Sequence, residues 1–351
     1  MKLYPGQIAA VAVTLSLLLC GATHAQQSGP RLEPPGLAYT AANRTPVPIP
    51  PSEAGLQTVT AEPWLELADQ PHFLEGAVFD RVGNLLFVDM FSGRVLKVAP
   101  DKSVATAVDQ DKSKKSITPT GLAIHKDGRL FVAEVGDMAT GGSIVAFEPD
   151  GSKRTQVVAP SAGYFPDDLV FDSVGGFYFT DLKGRSTEAT GGVYYSAPDG
   201  RISPILRNVA AANGVALSPD GKTLWVTEYA RNVLHRLTLT DATTVAIMGT
   251  TIAYHFTGPA PDGLRVDADG NVYAAIFQQG RILVFNRNGL PIGQILVPGR
   301  DHGHFLLTTS LAFKPGTNEI YFVANDGDGA RGATVFRTTG FANGQSLFSH
   351  Q

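Results

Sequence analysis

Hydrophobic and polar positions repeat along this chain with a period of about 46 residues. Each repeat has a polar residue, one further residue, an apolar pair, a turn and a second apolar run rich in β-forming residues. Asp-Gly, Gly-Gly or Pro-Gly pairs separate the two runs in most repeats, which predicts β-hairpins. The first residues of successive repeats are 45, 47, 46, 49 and 47 positions apart. The six segments are EGAVFDRVGNLLFVD from Glu75, TGLAIHKDGRLFVAE from Thr120, DDLVFDSVGGFYFTD from Asp167, NGVALSPDGKTLWVTE from Asn213, DGLRVDADGNVYAAI from Asp262 and TSLAFKPGTNEIYFVAN from Thr309.

The repeat predicts an all-β fold with six blades. A third apolar strand follows most hairpins, and three or four short strands per period of this length are typical of a propeller blade. No amphipathic helix of convincing length interrupts the repeats. We therefore predict a single six-bladed β-propeller domain over residues 56–351. The β-prone stretch at residues 57–67 is predicted to pair as the outermost strand of the last blade, which closes the ring.

The chain ahead of the repeats has the features of an export signal followed by a linker. Residues 1–25 combine a positive start, an apolar run over residues 8–19 and small residues before a cleavage point. A retained anchor and a lipoprotein modified at Cys20 are the alternatives. Seven prolines in residues 26–55 predict an extended, polyproline-like segment. The mature protein is thus expected to be exported, either periplasmic or secreted.

Composition and charge exclude several classes of partner. The chain has 28 basic and 32 acidic residues, a net charge of −4, which argues against nucleic acid or an anionic membrane as a partner. Cys20 is the single cysteine, so neither an intrachain disulfide nor a cysteine metal site can form. A small molecule is therefore the expected partner, and no membrane contact is expected after signal cleavage.

The first residue of each repeat suggests a metal site. Equivalent positions in a propeller surround one axis, so these residues should form a ring facing the central channel. Three carboxylates converging there would repel each other unless a cation lay between them. The donors are all oxygen, so Ca²⁺ is the expected ion, with Mg²⁺ or Mn²⁺ behind it. The alternative is that these residues cap strand ends or hydrogen-bond across the channel. This channel column consists of Glu75, Thr120, Asp167, Asn213, Asp262 and Thr309.

Other polar and aromatic residues are weaker candidates. A second column ends the second strand of five repeats, and its members either support the ion's ligands or, as we favour, hydrogen-bond the backbone of the following hairpin; they are Asp89, Glu134, Asp181, Glu228 and Asn325. His72, His302 and His304 lie near blade starts, where surface hydrogen bonding is the favoured role. The residues that could approach a substrate are Thr120, Tyr164, Phe165 and His304.

From about Pro46 to Gln351 the chain resembles the gluconolactonase / senescence-marker / luciferin-regenerating-enzyme-like family, and its drug-responsive lactonase branch most of all. The stretches that carry the resemblance are LQTVTAEPWLE, DDLVFDSVGGFYFTDLKG, ANGVALSPDGKTLWVTE and ILVFNRNGLPIGQILVPGRDHGH. The resemblance implies a Ca²⁺ ion in the channel and lactone hydrolysis with Asp262 as the acid/base residue. The ligands it implies are Glu75, Asp167, Asn213 and Asp262.

The chain departs from that branch in two respects. Gly263 stands where the branch has a serine that also contacts calcium. Ala159 and Ala162 stand where oxygen donors to a second, peripheral ion are expected, although Thr140, Gly141 and Tyr164 match that region. The resemblance therefore implies one central ion, while the two alanines argue against the second, peripheral ion of that branch.

These observations predict a calcium-dependent hydrolase that opens lactone rings. Ca²⁺ would polarise the carbonyl, and Asp262 would accept a proton from water and return it to the leaving alkoxide. No G-x-S-x-G motif supports a serine hydrolase. A phosphotriesterase or aryl-esterase using the same ligands is one alternative. A non-catalytic binding propeller with a structural calcium is the other.

Overall fold

The computed structural model describes residues 36–110, 118–327 and 332–351. The chain divides into two units, Met1–Thr40 and Ala41–Gln351. Residues 36–40 have no regular structure. The export signal at residues 1–25 and the start of the proline-rich segment lie outside the described residues, so both stay predictions.

The second unit is built almost entirely of β-strands. Two strands come first in the chain, β1 (Gln57–Thr60) and β2 (Glu62–Leu67). Blade one contains β3 (Leu74–Phe79), β4 (Leu85–Asp89), β5 (Arg94–Val98) and β6 (Val104–Asp109). Blade two contains β7 (Pro119–Ile124), β8 (Leu130–Glu134), β9 (Ser143–Phe147) and β10 (Thr155–Val158). Blade three contains β11 (Pro166–Phe171), β12 (Phe177–Asp181), β13 (Gly191–Ser196) and β14 (Ile202–Val209).

The remaining blades follow in the same order. Blade four contains β15 (Ala212–Leu217), β16 (Thr223–Glu228), β17 (Val233–Asp241) and β18 (Thr244–His255). Blade five contains β19 (Pro261–Val266), β20 (Val272–Ile276), β21 (Arg281–Phe285) and β22 (Pro291–Leu296). Blade six contains β23 (Leu307–Phe313), β24 (Glu319–Asn325) and β25 (Ala333–Thr339). The helical turns in the described residues are all 3₁₀, at Ala42–Arg44, Pro160–Ala162, Tyr229–Arg231, Arg300–His302 and Phe348–His350. Among the same residues, no helix has the length and apolar character needed to cross a membrane.

The six blades close into a ring around their innermost strands. Each innermost strand contacts that of the next blade, and β23 of blade six returns to β3 of blade one. One buried hydrophobic cluster lies between each pair of adjacent blades, so six clusters together form the core. The apolar pairs of the repeat supply these clusters: Val78 and Leu122 meet between blades one and two, for example. The prediction of a six-bladed β-propeller is confirmed.

The residues before the first repeat join the last two blades. Strand β2 pairs antiparallel with β25 and is the outermost strand of blade six, as predicted. Strand β1 instead pairs in parallel with β22 of blade five, so the prediction is wrong for Gln57–Thr60. The change of blade occurs at Ala61, which donates to Leu296 and is buried in the cluster between blades five and six. Two blades are thus tied together by one short segment.

A buried ion pair attaches the proline-rich segment to blade five. Before β1, the described residues contain a single 3₁₀ turn and no strand. Glu53 is nevertheless fully buried and pairs with Arg281, which is 1% exposed. Tyr254 donates to the Glu53 carboxylate over 2.6 Å, and Arg281 donates to Gln279 over 2.9 Å and to Gln294 over 3.1 Å. The end of this segment is therefore held in the propeller rather than trailing from it.

The C-terminal tail, residues 340–351 after β25, crosses the end of the ring that lies opposite the channel column. The column lies where inner strands begin, and the tail contacts the turns where they end. The Phe348 ring packs against His125 and Phe171, at centroid distances of 5.0 and 5.5 Å. The tail reaches every blade, through Arg81, His125, Phe171, Leu217, Ala268 and Thr317 in blades one to six. That end of the ring is covered by the chain itself.

Candidate active site

All six members of the channel column lie at the beginning of an inner strand. The register of the inner hairpin shifts at this point in every blade, which is the mark of a β-bulge. A bulge re-aims the side chains beside it and is common next to functional sites. The turns and apolar pairs of the sequence repeat therefore bring these residues to one end of one axis.

Glycines next to the column let neighbouring inner strands approach closely. A Cβ added at Gly121 would lie 2.3 Å from the Asp167 carbonyl oxygen. A Cβ at Gly263 would lie 2.6 Å from the Thr309 carbonyl oxygen. A serine at position 263 would thus require the strands to move apart, which gives a physical reason for glycine here.

The hydroxyls of the two threonines of the column are hydrogen-bonded to backbone carbonyls. Thr120 donates its hydroxyl to the Asp167 carbonyl over 2.9 Å, and Thr309 donates to the Leu74 carbonyl over 2.7 Å. Both hydroxyls link adjacent inner strands. Thr120 is a candidate for substrate contact from the sequence, but its hydroxyl already donates to the backbone carbonyl of Asp167. The polar groups left in the column are three carboxyls and one amide.

The three carboxyls of the column influence each other electrostatically. Burial, followed by the charges of Asp262 and Asp167, raises the pKa of Glu75 well above its ordinary value. Burial, and then Asp168, raises the pKa of Asp167 to about 8. Burial, and then Asp167, raises the pKa of Asp262. Buried acids that share one site have this behaviour because the charged form of each is disfavoured by the others.

The arrangement suits a hard divalent cation. Asp262 is 3% exposed, and its Oδ1 atom is buried without a hydrogen-bond partner in the described residues. The side chain of Asn213 lowers the pKa of the same carboxyl, an effect smaller than that of burial. Nowhere in the described ranges do three or more His, Cys, Asp or Glu side chains form a tight metal-like cluster. The unpartnered carboxylate oxygen and the all-oxygen donors are nonetheless the chemistry that calcium or magnesium prefers.

The raised pKa values predict how the stability of the metal-free protein depends on pH. An Asp that titrates at 3.8 when unfolded and at about 8 when folded stabilises the fold below pH 3.8 and loses that effect as the pH rises to about 8. Each such carboxyl lowers the unfolding free energy by up to about 1.4 kcal/mol per pH unit in that window. We expect the melting temperature in chelator to fall between about pH 5 and about pH 8. Asp167→Asn should reduce this slope, and a melting temperature that rises over the same range would contradict the assignment.

The adjacent acid, Asp168, has a different role. It is 6% exposed and accepts hydrogen bonds from Arg265 over 3.1 Å and from the Val215 amide over 3.2 Å. Its charge is therefore balanced by a guanidinium, whereas no such partner faces Asp167 among the residues that the structure describes. The sequence pair Asp-Asp does not reveal this difference, because Arg265 comes from blade five and meets Asp168 only in the folded ring.

The second column mostly binds backbone. Asp89 accepts from Phe73, Asp181 from Phe165, Asn325 from Leu74 and Glu228 from Ala210, all through main-chain amides. These amides lie at or just before the starts of inner strands, so the expectation of contacts to the following hairpin is wrong for Asp181, Glu228 and Asn325. It holds for Asp89, which also accepts from the Phe91 amide in the turn after β4. Glu134 instead accepts from Ser143 and Arg154. The column thus fixes the segments that hold the channel residues.

The other candidates from the sequence, Tyr164, Phe165 and His304, precede inner strands at the mouth, the end of the channel where the inner strands begin. Their contacts described here are with residues other than the three carboxyls of the channel column. Tyr164 packs between blades two and three against Phe179 and Tyr194, with centroids 5.3 and 4.5 Å away. The Lys183 ammonium lies 5.1 Å from the centre of the Phe165 ring. The imidazole of His304 is 3.4 Å from the Asp326 carboxylate.

His72 and His302, the other two histidines that the sequence suggested, also lie outside the channel column. His72 is buried and lies between the carboxylates of Asp89 and Asp69, at 3.0 and 2.9 Å. The hydrogen bond to Asp89 raises the pKa of His72. His302 is exposed in the turn Arg300–His302. Surface and structural hydrogen bonding is what these contacts provide.

A row of aromatic rings stands beside the acids and was missed by sequence reasoning. Phe91 and Phe73 are 5.6 Å apart, Phe73 and Phe277 are 6.4 Å apart, and Phe277 and Tyr229 are 5.9 Å apart, all between centroids. The charges of Asp262 and Glu75 both raise the pKa of Tyr229, after the larger effect of burial. The signal available was an aromatic residue directly after the last residue of the second strand in blades four and five, at Tyr229 and Phe277.

Fold and site together define a class: a six-bladed β-propeller with an acidic, all-oxygen centre where its inner strands begin. The chain belongs to the family described as the SMP-30/gluconolactonase/LRE-like region, which matches residues 73–324. The resemblance seen in the sequence is thereby confirmed.

Relatives of known name agree with this membership. Lactonase drp35 of Staphylococcus aureus is 47% identical over 321 residues, covering 90% of this chain and 98% of the relative. The solved structure of a gluconolactonase from Xanthomonas campestris is 22% identical, covers 88% of this chain and 99% of its own, and has a TM-score of 0.63. That of regucalcin, a calcium-binding protein from Agrobacterium tumefaciens, is 17% identical, covers 83% and 99%, and has a TM-score of 0.65. At these identities the two structures establish the shared fold.

Proposed function

We propose that this protein is a lactonase, an enzyme that opens cyclic esters with water. A curated lactonase that is 47% identical over nearly the whole of both chains supports the reaction class. The observation that carries the proposal is the buried carboxyl of Asp262, which keeps one oxygen unpartnered beside two further acids. A lactone and its hydroxy-acid product are small molecules, in agreement with the charge and composition of the chain.

The proposed ion is one Ca²⁺, held by Glu75, Asp167, Asn213 and Asp262. A divalent cation bound there supplies a Lewis acid for the ester carbonyl. The support is chemical: three acidic side chains and one amide offer only oxygen, and their mutual repulsion is relieved by a positive charge. Mg²⁺ and Mn²⁺ bind through the same donor type, so the ion is part of the test.

The proposed role of Asp262 is to move one proton. The carboxylate accepts a proton from water as the water oxygen forms its bond to the lactone carbonyl carbon. The ring C–O bond then breaks, and the same carboxyl returns the proton to the alkoxide that leaves. The product is the open hydroxy acid, and water is the only co-reactant consumed. Without an ion, burial raises the pKa of Asp262, whereas a bound cation would lower it, so the proton would be carried by the carboxylate oxygen that does not contact the ion.

The experiment uses residues 26–351, purified, stripped with chelator and assayed with and without added Ca²⁺, Mg²⁺ or Mn²⁺. A panel of lactones, aryl esters and organophosphates separates the candidate reactions. We expect lactones to be hydrolysed, and stripping to lower the rate by about 100-fold or more because several kcal/mol of charge stabilisation are lost. Turnover of organophosphates or aryl esters alone would replace the lactonase proposal. If no substrate is turned over and folding is unchanged after chelation, the result would support the alternative of a non-catalytic binding propeller.

A further inference from the structure

The mouth of the channel is bordered by rings from blades on opposite sides of the axis. Phe73 precedes β3 in blade one, Phe277 follows β20 in blade five, and Tyr229 follows β16 in blade four. Their ring contacts form a continuous row from blade one to blade four. In a six-membered ring these two blades face each other, so the row passes along one side of the mouth. All three rings are half-buried.

The position of Tyr229 is fixed by its backbone and its neighbours. Its amide donates to the Ala211 carbonyl over 2.9 Å, one residue before β15 and two before Asn213. The preceding residue, Glu228, accepts from the Ala210 amide over 2.8 Å. The 3₁₀ turn Tyr229–Arg231 then connects β16 to β17. The backbone of Tyr229 is therefore fixed next to the start of β15, the strand that carries Asn213, the amide ligand of the proposed ion.

The hydroxyl group of Tyr229 has no hydrogen-bond partner among the described residues, as is also true of Tyr164 and Tyr194, whereas five other described tyrosines each donate to an acceptor. Tyr195 donates to Asp172 over 2.6 Å, Tyr178 to the Ala242 carbonyl over 2.9 Å, and Tyr254 to Glu53 over 2.6 Å. The Tyr229 ring instead packs against Phe277, which follows the second strand of the blade that carries Asp262. The charges of Asp262 and Glu75 also raise the pKa of Tyr229, after the larger effect of burial. A partly buried phenol normally finds an acceptor, so this donor is available for a bound molecule.

We infer that the Tyr229 hydroxyl donates a hydrogen bond to the carbonyl oxygen of the bound lactone and is a further catalytic residue of the proposed reaction. This inference rests on the lactonase function. The carbonyl oxygen gains negative charge as water adds to the carbon, so a fixed donor beside it stabilises the transition state more than the bound substrate. Its proton stays on the phenol throughout, and no additional reactant is needed. The aromatic row supports the ring from behind.

The test is Tyr229→Phe, which removes the hydroxyl and keeps the ring. No protein hydrogen bond of the side chain within the described part of the chain is lost, so the melting temperature should stay within about 2 °C of the wild type. We expect kcat to fall by about 100-fold, with KM changed by less than about threefold and the same calcium affinity. Tyr195→Phe is the matched control, because it removes a hydroxyl that bonds Asp172 on the side of blade three. Its kcat should equal that of the wild type.

A second measurement separates this inference from the lactonase proposal. Binding of δ-valerolactam, which has the ring carbonyl but resists hydrolysis, is measured by calorimetry, and Tyr229→Phe should weaken it by about fivefold. If the wild type hydrolyses lactones and Tyr229→Phe matches it in both kcat and lactam affinity, the inference is wrong and the function stands. If no lactone is hydrolysed but lactam affinity still depends on the hydroxyl, the function fails and the carbonyl donor stands. Loss of kcat in Tyr195→Phe as well would assign the effect to general disturbance and overturn the inference.

Discussion

Asp262→Asn is expected to lower kcat/KM for lactone hydrolysis by about 1,000-fold, because an amide can neither accept the proton of the attacking water nor return it. The substitution is nearly isosteric, so the bulge and the neighbouring strands should keep their geometry. It also removes one of three mutually repelling carboxyls. The metal-free variant should therefore melt at the same temperature as the metal-free wild type, or higher. Initial rates on the best lactone of the panel, with melting curves in chelator, provide the measurement.

The control for this variant is Asp199→Asn, an exposed aspartate that pairs with Arg201 at the surface. It should retain the full rate. Calcium binding to Asp262→Asn should be measured as well, since loss of a ligand and loss of a base both reduce activity. If saturating calcium leaves the rate near zero, the proton-transfer role is supported. Full activity in Asp262→Asn would remove Asp262 from the mechanism.

Glu53→Gln is expected to destabilise the propeller by roughly 3–5 kcal/mol, because it leaves a buried guanidinium without its counter-charge. Arg281 is 1% exposed and its other side-chain acceptors are neutral amides, at Gln279 and Gln294. Neither amide replaces a carboxylate at a site so far removed from solvent. Urea unfolding followed by tryptophan fluorescence gives the free energy of unfolding, provided that the transition is cooperative.

A closely matched control is available in the same part of the chain. Glu62 pairs with Arg337 across β2 and β25, but both side chains are more than 40% exposed. Glu62→Gln should cost less than about 1 kcal/mol, since exposed pairs contribute little. The two variants share the chemical change, the partner type and the role of tying early residues to late ones, and differ in burial. Equal losses of stability would show that burial is not the cause.

The fold was predictable because its pattern occurs six times. Hairpin turns and apolar pairs recur at nearly constant spacing, so an error in one repeat is corrected by the other five. The same register assigns Glu75, Asp167, Asn213 and Asp262 to one column, because equivalent positions of equivalent blades surround a single axis. The pairing of strand β1 was not predicted because this strand occurs only once in the chain. Whether it pairs with the outer edge of blade five or of blade six depends on the burial of Ala61.

The features that sequence reasoning missed depend on contacts between parts of the chain that are far apart in sequence. Asp167 and Asp168 differ because Arg265 arrives from another blade. Tyr229 and Phe277 follow strand ends in two repeats but meet only where blades four and five adjoin in the folded ring. Glu53 has the sequence context of a linker, yet its partner lies 228 positions further along the chain. The repeat period and the turn residues predict the course of the backbone. The side-chain contacts named above depend instead on how the blades pack when the ring closes.

The pairing of β2 with β25 also has a consequence for biosynthesis. Glu62 and Arg337 meet across a sequence separation of 275 residues, and the N-terminal strand leaves the ribosome long before its partner. Closing so long a loop is slow, and both edges stay unpaired until the last blade has been made. The circle of blades therefore closes only once β25 has been made and pairs with β2. A chain stalled or cut before residue 333 lacks β25, so β2 has no partner and blade six keeps an unpaired edge that is accessible to proteases.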